Sequence, residues 1–166
     1  MKSPDVEVVP APPELEPVLA NLFELYAHDF SEFVDLKLGP DGRFGCGDLH
    51  LFWEEPGRRA FLIKAGGGPA GFVLLRKGSE VSGDPDVWDV AEFFVARGFR
   101  RRGVGTEAAR QVWARFPGRW EVRVVEPNRK AAAFWRRAVA DFLGAEVEPT
   151  PFSKDGRSWH VFSFDS

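Results

Sequence analysis

Arg100-Arg101-Arg102-Gly103-Val104-Gly105-Thr106 is the stretch that decides how this chain is read. It lies between a run with strand character, Val87 to Val95, and a run with helix character, Thr106 to Phe116. A strand that turns through glycines into a helix start makes an anion site. The first backbone N–H groups of a helix have no internal partner, and the helix dipole favours negative charge beside them. Acidic residues are the usual choice for such a first turn. Here, between Glu92 and Glu107, stand Arg97, Arg100, Arg101 and Arg102 and no acid. A polyanionic ligand accounts for that inversion.

Outward from this turn the chain alternates strands and helices. Val6 to Val9 reads as a short strand closed by Pro10, Pro12 and Pro13. Leu15, Val18, Leu19, Leu22, Phe23, Leu25 and Tyr26 recur at helical spacing, and Ser31 to Leu38 is expected to continue as a second short helix. Gly39 to Gly47 is loop. Ala60 to Ala65 and Ala70 to Lys77 form a hairpin through Gly66-Gly67-Gly68-Pro69. Beyond the arginine–glycine turn, Val104, Ala108, Ala109, Val112, Trp113 and Phe116 mark one helix, which Pro117-Gly118 stops. Trp120 to Val125 is a strand. Asn128 caps a helix carrying Ala131, Phe134, Trp135, Ala138 and Phe142, and Gly144 ends it. Glu146 to Thr150 and Ser158 to Phe164 are expected as a final strand pair. Hairpins give antiparallel pairs and the strand–helix–strand unit a parallel one, so the sheet must be mixed.

The composition bounds the answer. With 166 residues, one domain over 1–166 is the natural expectation. Hydrophobic residues make up 44% and charged residues 28%, as in an ordinary globular protein. The net charge of -3 does not favour nucleic-acid binding, and no second basic face accompanies the arginine turn. Local positive charge suits a small anion better than a polymer. Cys46 is the one cysteine, so no internal disulfide framework is expected, and no metal site is expected either, since His50 and His160 stand alone. No apolar run approaches membrane-span length and no secretion signal is seen, so a cytoplasmic location is the default expectation.

The residues also carry a family resemblance. Phe94-Val95-Ala96-Arg97-Gly98-Phe99-Arg100-Arg101-Arg102-Gly103-Val104-Gly105-Thr106 resembles the acyl-CoA motif of the GNAT acetyltransferase superfamily, Arg/Gln-x-x-Gly-x-Gly/Ala after a strand ending in an apolar residue and valine. Arg100, Gly103 and Gly105 match its fixed positions. Asn128-x-x-Ala131-x-x-Phe134-Trp135 resembles the family's Asn-x-x-Ala-x-x-apolar-Tyr helix at the family's spacing. The resemblance implies an α/β fold with a mixed, mainly antiparallel twisted sheet flanked by helices. It implies that backbone N–H groups from Arg101 through Thr106, Val104 included, cradle the pyrophosphate of acetyl-CoA. Gly103 and Gly105 would let phosphate oxygens approach, and Arg97, Arg100 and Arg102 could pair with phosphates as forks. In the family the strands corresponding to Val95 and Trp120 splay, and pantetheine pairs with the first. The backbone near Phe94 and Val95 would then polarise the thioester carbonyl. Asn128, Ala131, Phe134 and Trp135 join the cofactor side by the same resemblance.

The proton chemistry is read from the side chains. A lysine-like amine has a reference pKa near ~10.4, so an acceptor must lose a proton to attack. Glu92, three residues before Val95, is the first candidate base, and Asp89, on the opposite strand parity, the second. Trp135 stands where the family places a tyrosine, and an indole cannot supply a proton at neutral pH. Tyr26 is the only tyrosine in the chain. Either Tyr26 reaches the leaving thiolate, or water does, or no acid is used. Tyr26, His28 and Asp29 are candidates for the acceptor side, with Asp29 and Ser31 alternatively capping a second helix. Trp53 and Trp159 are candidate pocket walls.

The expected activity is therefore transfer of an acetyl group from acetyl-CoA to a primary amine of a small molecule or peptide, by direct attack in a ternary complex. The alternative is a non-catalytic acyl-CoA-binding or regulatory module on the same fold. Neither nucleic acid nor membrane is expected as a partner, and a homodimer is left open. Gly66-x-Gly68-x-x-Gly71 satisfies a dinucleotide fingerprint in letters only, because a strand rather than a helix follows it.

Overall fold

The computed structural model describes residues 4–166. In chain order its elements are β1 (Val6–Pro10), α1 (Glu16–Phe30), α2 (Leu51–Glu54), β2 (Arg58–Ala65), β3 (Gly68–Lys77), β4 (Trp88–Val95), α3 (Val104–Arg115), β5 (Arg119–Val125), α4 (Arg129–Leu143), β6 (Thr150–Lys154) and β7 (Arg157–Asp165). Hydrogen-bonded neighbours run β1-β2-β3-β4-β5-β7-β6. β4 and β5 pair in parallel at Trp88↔Trp120 and Asp89↔Glu121. β1 with β2, β5 with β7 and β6 with β7 are antiparallel. The expected mixed, mainly antiparallel sheet is thus present. The chain divides into two compact units, one taking residues up to Leu74 with Glu92–Ala108, the other Leu75–Ala91 with Ala109–Ser166.

In the first unit, α1 lies on the sheet because its apolar residues fall on one helical face. Leu19 and Ala27 are buried, and Val18, Leu22, Phe23 and Tyr26 pack with them against Leu62, Phe72, Leu74 and Phe94. Full burial of a side chain such as Leu19 is worth roughly 1.5–3 kcal/mol. Consecutive residues Ala60 to Ile63 of β2 are all buried, so both faces of that strand are covered. Gly71 of β3 has no room for a side chain. A Cβ there would sit 1.9 Å from the Phe94 carbonyl oxygen. Gly71→Ala must therefore push β4 aside at Phe94, and we expect it to lower stability by about 1–3 kcal/mol, an overpacking cost read as a drop in the thermal midpoint.

The second unit is built on tryptophan. Trp113 of α3 meets Trp135 and Phe142 of α4 and Phe164 of β7 at centroid distances of 6.1, 5.2 and 5.0 Å. The Asn128 side-chain oxygen accepts the Ala131 N–H at 3.1 Å, and Gly144 in the left-handed region closes α4. The Asn-x-x-Ala spacing is thereby explained locally, as an N-cap.

Two expectations need correction, and one element was not foreseen. No helix forms over Ser31 to Leu38: α1 runs on to Phe30, where Ser31 turns its hydroxyl back on the His28 carbonyl (2.6 Å) and ends the helix. The strand expected at Glu146 to Thr150 is instead β6 from Thr150, since Pro149 has no N–H to give a ladder and Glu148 is engaged by Arg136. The short helix α2 appears where no periodicity announced one; at four residues it is too short to show any.

Candidate active site

The first unit holds most of the residues singled out in the sequence. β4 ends at Val95. A 3₁₀ turn, Arg97–Phe99, follows, and α3 begins at Val104. In between, Arg101 adopts φ 60° and Gly103 φ 79°, both left-handed. For arginine that region costs roughly 1–2 kcal/mol. The helix ladder starts with the Glu107 N–H to the Gly103 carbonyl at 3.0 Å, and among the described residues the N–H groups of Arg101 through Thr106 have no backbone acceptor. A run of open amides bent through two left-handed residues forms a nest for anionic oxygens. Val104 is buried, so it offers backbone to the nest while its side chain anchors the turn in the core.

The arginines of the turn divide their work. The Arg100 Nε donates to the Val95 carbonyl (2.7 Å), one guanidinium nitrogen donates to Asp29 (2.6 Å), and the guanidinium lies 5.6 Å from the centre of the Phe94 ring. Arg97 donates to the other Asp29 oxygen at 2.7 Å. Arg97 and Arg100, expected as phosphate forks, both hold Asp29 here, and Arg100 also braces the end of β4. Arg102 reaches only the Gly98 carbonyl, at 3.5 Å.

Asp29, expected on the acceptor side, pairs with the arginines of the turn. Burial would raise its pKa, but hydrogen bonds and charge from Arg100 and Arg97 outweigh that and hold the carboxyl below its ordinary value of 3.8. A depressed folded-state pKa means the clasp's contribution is present above the unfolded value and is lost only as pH falls through the lower, folded one. The clasp is therefore intact across the neutral range.

One helical turn before Asp29, the Tyr26 hydroxyl donates to the Glu92 carboxylate of β4. The Tyr26 ring is walled by Phe23, Phe30, Phe72 and Phe94, with centroids 5.4 to 6.1 Å away. Two residues 66 apart in the chain are thus joined in a largely apolar setting. His28 is mostly exposed and faces Phe44 at 6.5 Å. Glu24, which the sequence did not single out, accepts the N–H groups of Phe44 (2.9 Å) and Gly45 (2.6 Å) and so ties the loop 39–47 to α1. Nothing local marks Glu24, because its partners lie some twenty residues away.

The remaining candidates belong to the second unit or to packing. Asp89 is completely buried, with its oxygens taken by Arg76 at 2.7 Å and Arg123 at 3.0 Å. A carboxylate saturated by two guanidiniums is a counter-ion, and taking up a proton would break both pairs. Trp135 is 6% exposed and packs on Trp113 and Phe134 as part of the core. Trp53 is partly buried against the core of the first unit and donates to the Ala11 carbonyl, and Trp159 lies tilted against Phe152 in the β6–β7 hairpin. Among the described residues no group of His, Cys, Asp and Glu is arranged to hold a metal, and no helix is long and apolar enough to cross a membrane.

A strand braced at its end, an open left-handed nest and a carboxylate on that same strand come together in the first unit. The chain belongs to the acetyltransferase (GNAT) family, whose model matches residues 19–139. Solved structures share the fold. An acetyltransferase from Thermus thermophilus is 21% identical over 100% of both chains, with a TM-score of 0.73. The GNAT domain of S. lividans PAT is 20% identical over 96% of this chain and 90% of that one, with a TM-score of 0.63. Arabidopsis thaliana NAA60 in complex with acetyl-CoA is 11% identical over 97% and 98%, with a TM-score of 0.63. A search of the curated proteins gives no match.

Proposed function

We propose that the protein transfers an acetyl group from acetyl-CoA to a primary amine of a small molecule or peptide, by direct attack in a ternary complex. The observation that carries this reading is the open run of amides from Arg101 to Thr106 at the foot of α3, just beyond the strand that presents Glu92. The nest would take the pyrophosphate, with Arg97 and Arg102 exposed at its rim. Phe94 and Val95, and Asn128, Ala131 and Phe134 on α4, are carried as cofactor-side residues by family membership. In the reaction Glu92 takes a proton from the ammonium form of the acceptor. The amine nitrogen then attacks the thioester carbonyl carbon, the C–S bond breaks, and CoA leaves as thiolate. The second amine proton goes to solvent or to the thiolate, so the products are an N-acetyl amine and CoA. A thiolate with a pKa near ~8.5, by analogy with cysteine, leaves without a strong acid.

Tyr26 enters this scheme through Glu92. Its hydroxyl aims the carboxylate, and its ring is fixed by four phenylalanines. Tyr26→Phe removes the donor and keeps the ring. We expect kcat to fall about tenfold, the worth of one hydrogen bond to a charged group, with acetyl-CoA affinity within about twofold. A loss confined to cofactor affinity would remove Tyr26 from the proton path.

Calorimetry with acetyl-CoA tests the first half of the proposal, and absence of heat at millimolar cofactor would sink it. A panel of a polyamine, an aminoglycoside and a basic peptide, followed by release of free thiol, tests the second. The second reading, a non-catalytic acyl-CoA-binding module, is favoured by one observation: a buried tryptophan, Trp135, fills the family's tyrosine position. Cofactor binding without thiol release from any amine would select it. His28 is the remaining acceptor-side candidate, and a cytoplasmic setting fits acetyl-CoA as donor.

A further inference from the structure

The turn that forms the nest is strained, and the structure shows what could hold it. Arg101 has a Cβ yet sits at φ 60°. Left to itself, a residue of this kind avoids that region by about five- to thirty-fold. Such a conformation persists where its surroundings over-determine it. Immediately before Arg101, Arg97 and Arg100 are gripped by the two oxygens of one carboxylate, Asp29, at 2.7 and 2.6 Å. Arg100 is gripped a second time through the Val95 carbonyl. Asp29 is the least exposed of the three, with 22% of its side chain accessible against 71% for Arg97 and 41% for Arg100. It is carried by α1, a helix packed on the core, so the rigid partner is the acid and the mobile partners are the arginines.

We propose that Asp29 is a positioning residue for cofactor binding. It clasps both ends of the Arg97–Arg100 segment and so holds the amides from Arg101 onward in the left-handed, anion-ready arrangement. This rests on the reading of the nest as the acetyl-CoA site. A carboxylate beside a pyrophosphate site is otherwise a liability, since it repels the ligand. Two guanidiniums neutralise it here, and the whole clasp carries a net positive charge. The benefit is preorganisation: affinity falls by the fraction of time the competent arrangement is absent. If the clasp is what offsets the strain at Arg101, its loss should expose a good part of that five- to thirty-fold preference.

The test is calorimetry of acetyl-CoA with the full chain. The wild-type protein is titrated first; if it binds nothing, the acetyl-CoA reading fails, whatever Asp29 does. If it binds, Asp29→Asn is expected to weaken affinity about fivefold to tenfold with little change in thermal midpoint, because surface ion pairs contribute little to stability. Arg100→Gln, which breaks the clasp from the other side, should show a similar loss, and the pair together should lose less than the sum. The decisive readout is rescue. Arg101→Gly in the Asp29→Asn background removes the left-handed penalty and should restore most of the lost affinity, although it also removes a positive charge. Unchanged or tighter binding by Asp29→Asn would overturn the proposal, because Asp29 would then be a bystander or a competitor for the arginines. Failure of Arg101→Gly to rescue would overturn it as well, by showing that strain at Arg101 is not what Asp29 offsets.

Discussion

Glu92→Gln is expected to slow acetyl transfer by about 100- to 10,000-fold, the range a positioned general base supplies. The substitution is nearly isosteric, and its amide oxygen can still accept from Tyr26, so the wall of Phe23, Phe30, Phe72 and Phe94 need not move. What changes is proton affinity. A lysine-like amine with a pKa near ~10.4 is almost wholly protonated at neutral pH and cannot attack until something takes the proton. Acetyl-CoA affinity should stay within about twofold, since the nest lies beyond Val95 and uses backbone groups. The measurement is thiol release against pH with whichever amine of the panel turns over. The acid limb of the wild-type profile should vanish in Glu92→Gln, leaving a rate that climbs with pH as free amine accumulates. A profile that keeps its acid limb would assign the base elsewhere. Asp89 is a poor substitute, because it is fully buried and both its pairs, to Arg76 and Arg123, would be lost on taking up a proton.

The fold was legible wherever the chemistry is local. The strand–turn–helix at Arg100 to Thr106, the hairpin at Gly66, the cap at Asn128 and the stop at Gly144 each depend on residues within one or two turns of chain, and each is present. The region after α1 misled for the same reason. Ser31 is a good N-cap by type, but its hydroxyl is spent on the His28 carbonyl, and that choice is made by the packing of α1 rather than by the sequence around Ser31. At the site, the turn itself could be read, but its side-chain partners could not. Asp29 and Arg100 are 71 residues apart, Tyr26 and Glu92 66, and no periodicity links them. Sequence therefore placed Asp29 with the acceptor candidates, with no sign of its pairing to Arg97 and Arg100. Trp135 was legible as packing: its spacing with Ala131, Ala138 and Phe142 describes a core face, and it is buried against Trp113.

Tyr26 and Asp29 stand three residues apart on the last turn of α1, so one rigid face reaches two different parts of the site. Through Tyr26 it addresses the carboxylate on β4, and through Asp29 the arginines of the turn. The two contacts should be separable: Tyr26→Phe acts on turnover and Asp29→Asn on cofactor affinity. A shared defect in both quantities from either change would mean that the end of α1 moves as a block.

Gly105→Glu is expected to weaken acetyl-CoA binding by at least about 100-fold while leaving the protein as stable as before or slightly more so. Gly105 is the second residue of α3, inside the run of open amides. A helical Cα–Cβ bond tilts toward the helix N-terminus, so any side chain here extends over the nest. A carboxylate in that place would accept the open N–H groups itself and meet the incoming pyrophosphate with like charge. At an effective dielectric of about 20, two unit charges roughly 5 Å apart repel by about 3 kcal/mol, more than enough for the stated loss. Stability moves the other way. An acid in the first turn gains about 0.3–1 kcal/mol from the dipole. Opposite signs in the two measurements distinguish a blocked site from a misfolded protein. A thermal midpoint at or above that of wild type, together with lost calorimetric heat, would mark the amides of Arg101 to Thr106 as the place where the cofactor's phosphates sit. Retained affinity in a well-folded Gly105→Glu would place them elsewhere. Gly105→Gln, which adds the same bulk without charge, should fall between the two and divides the loss into its steric and electrostatic parts.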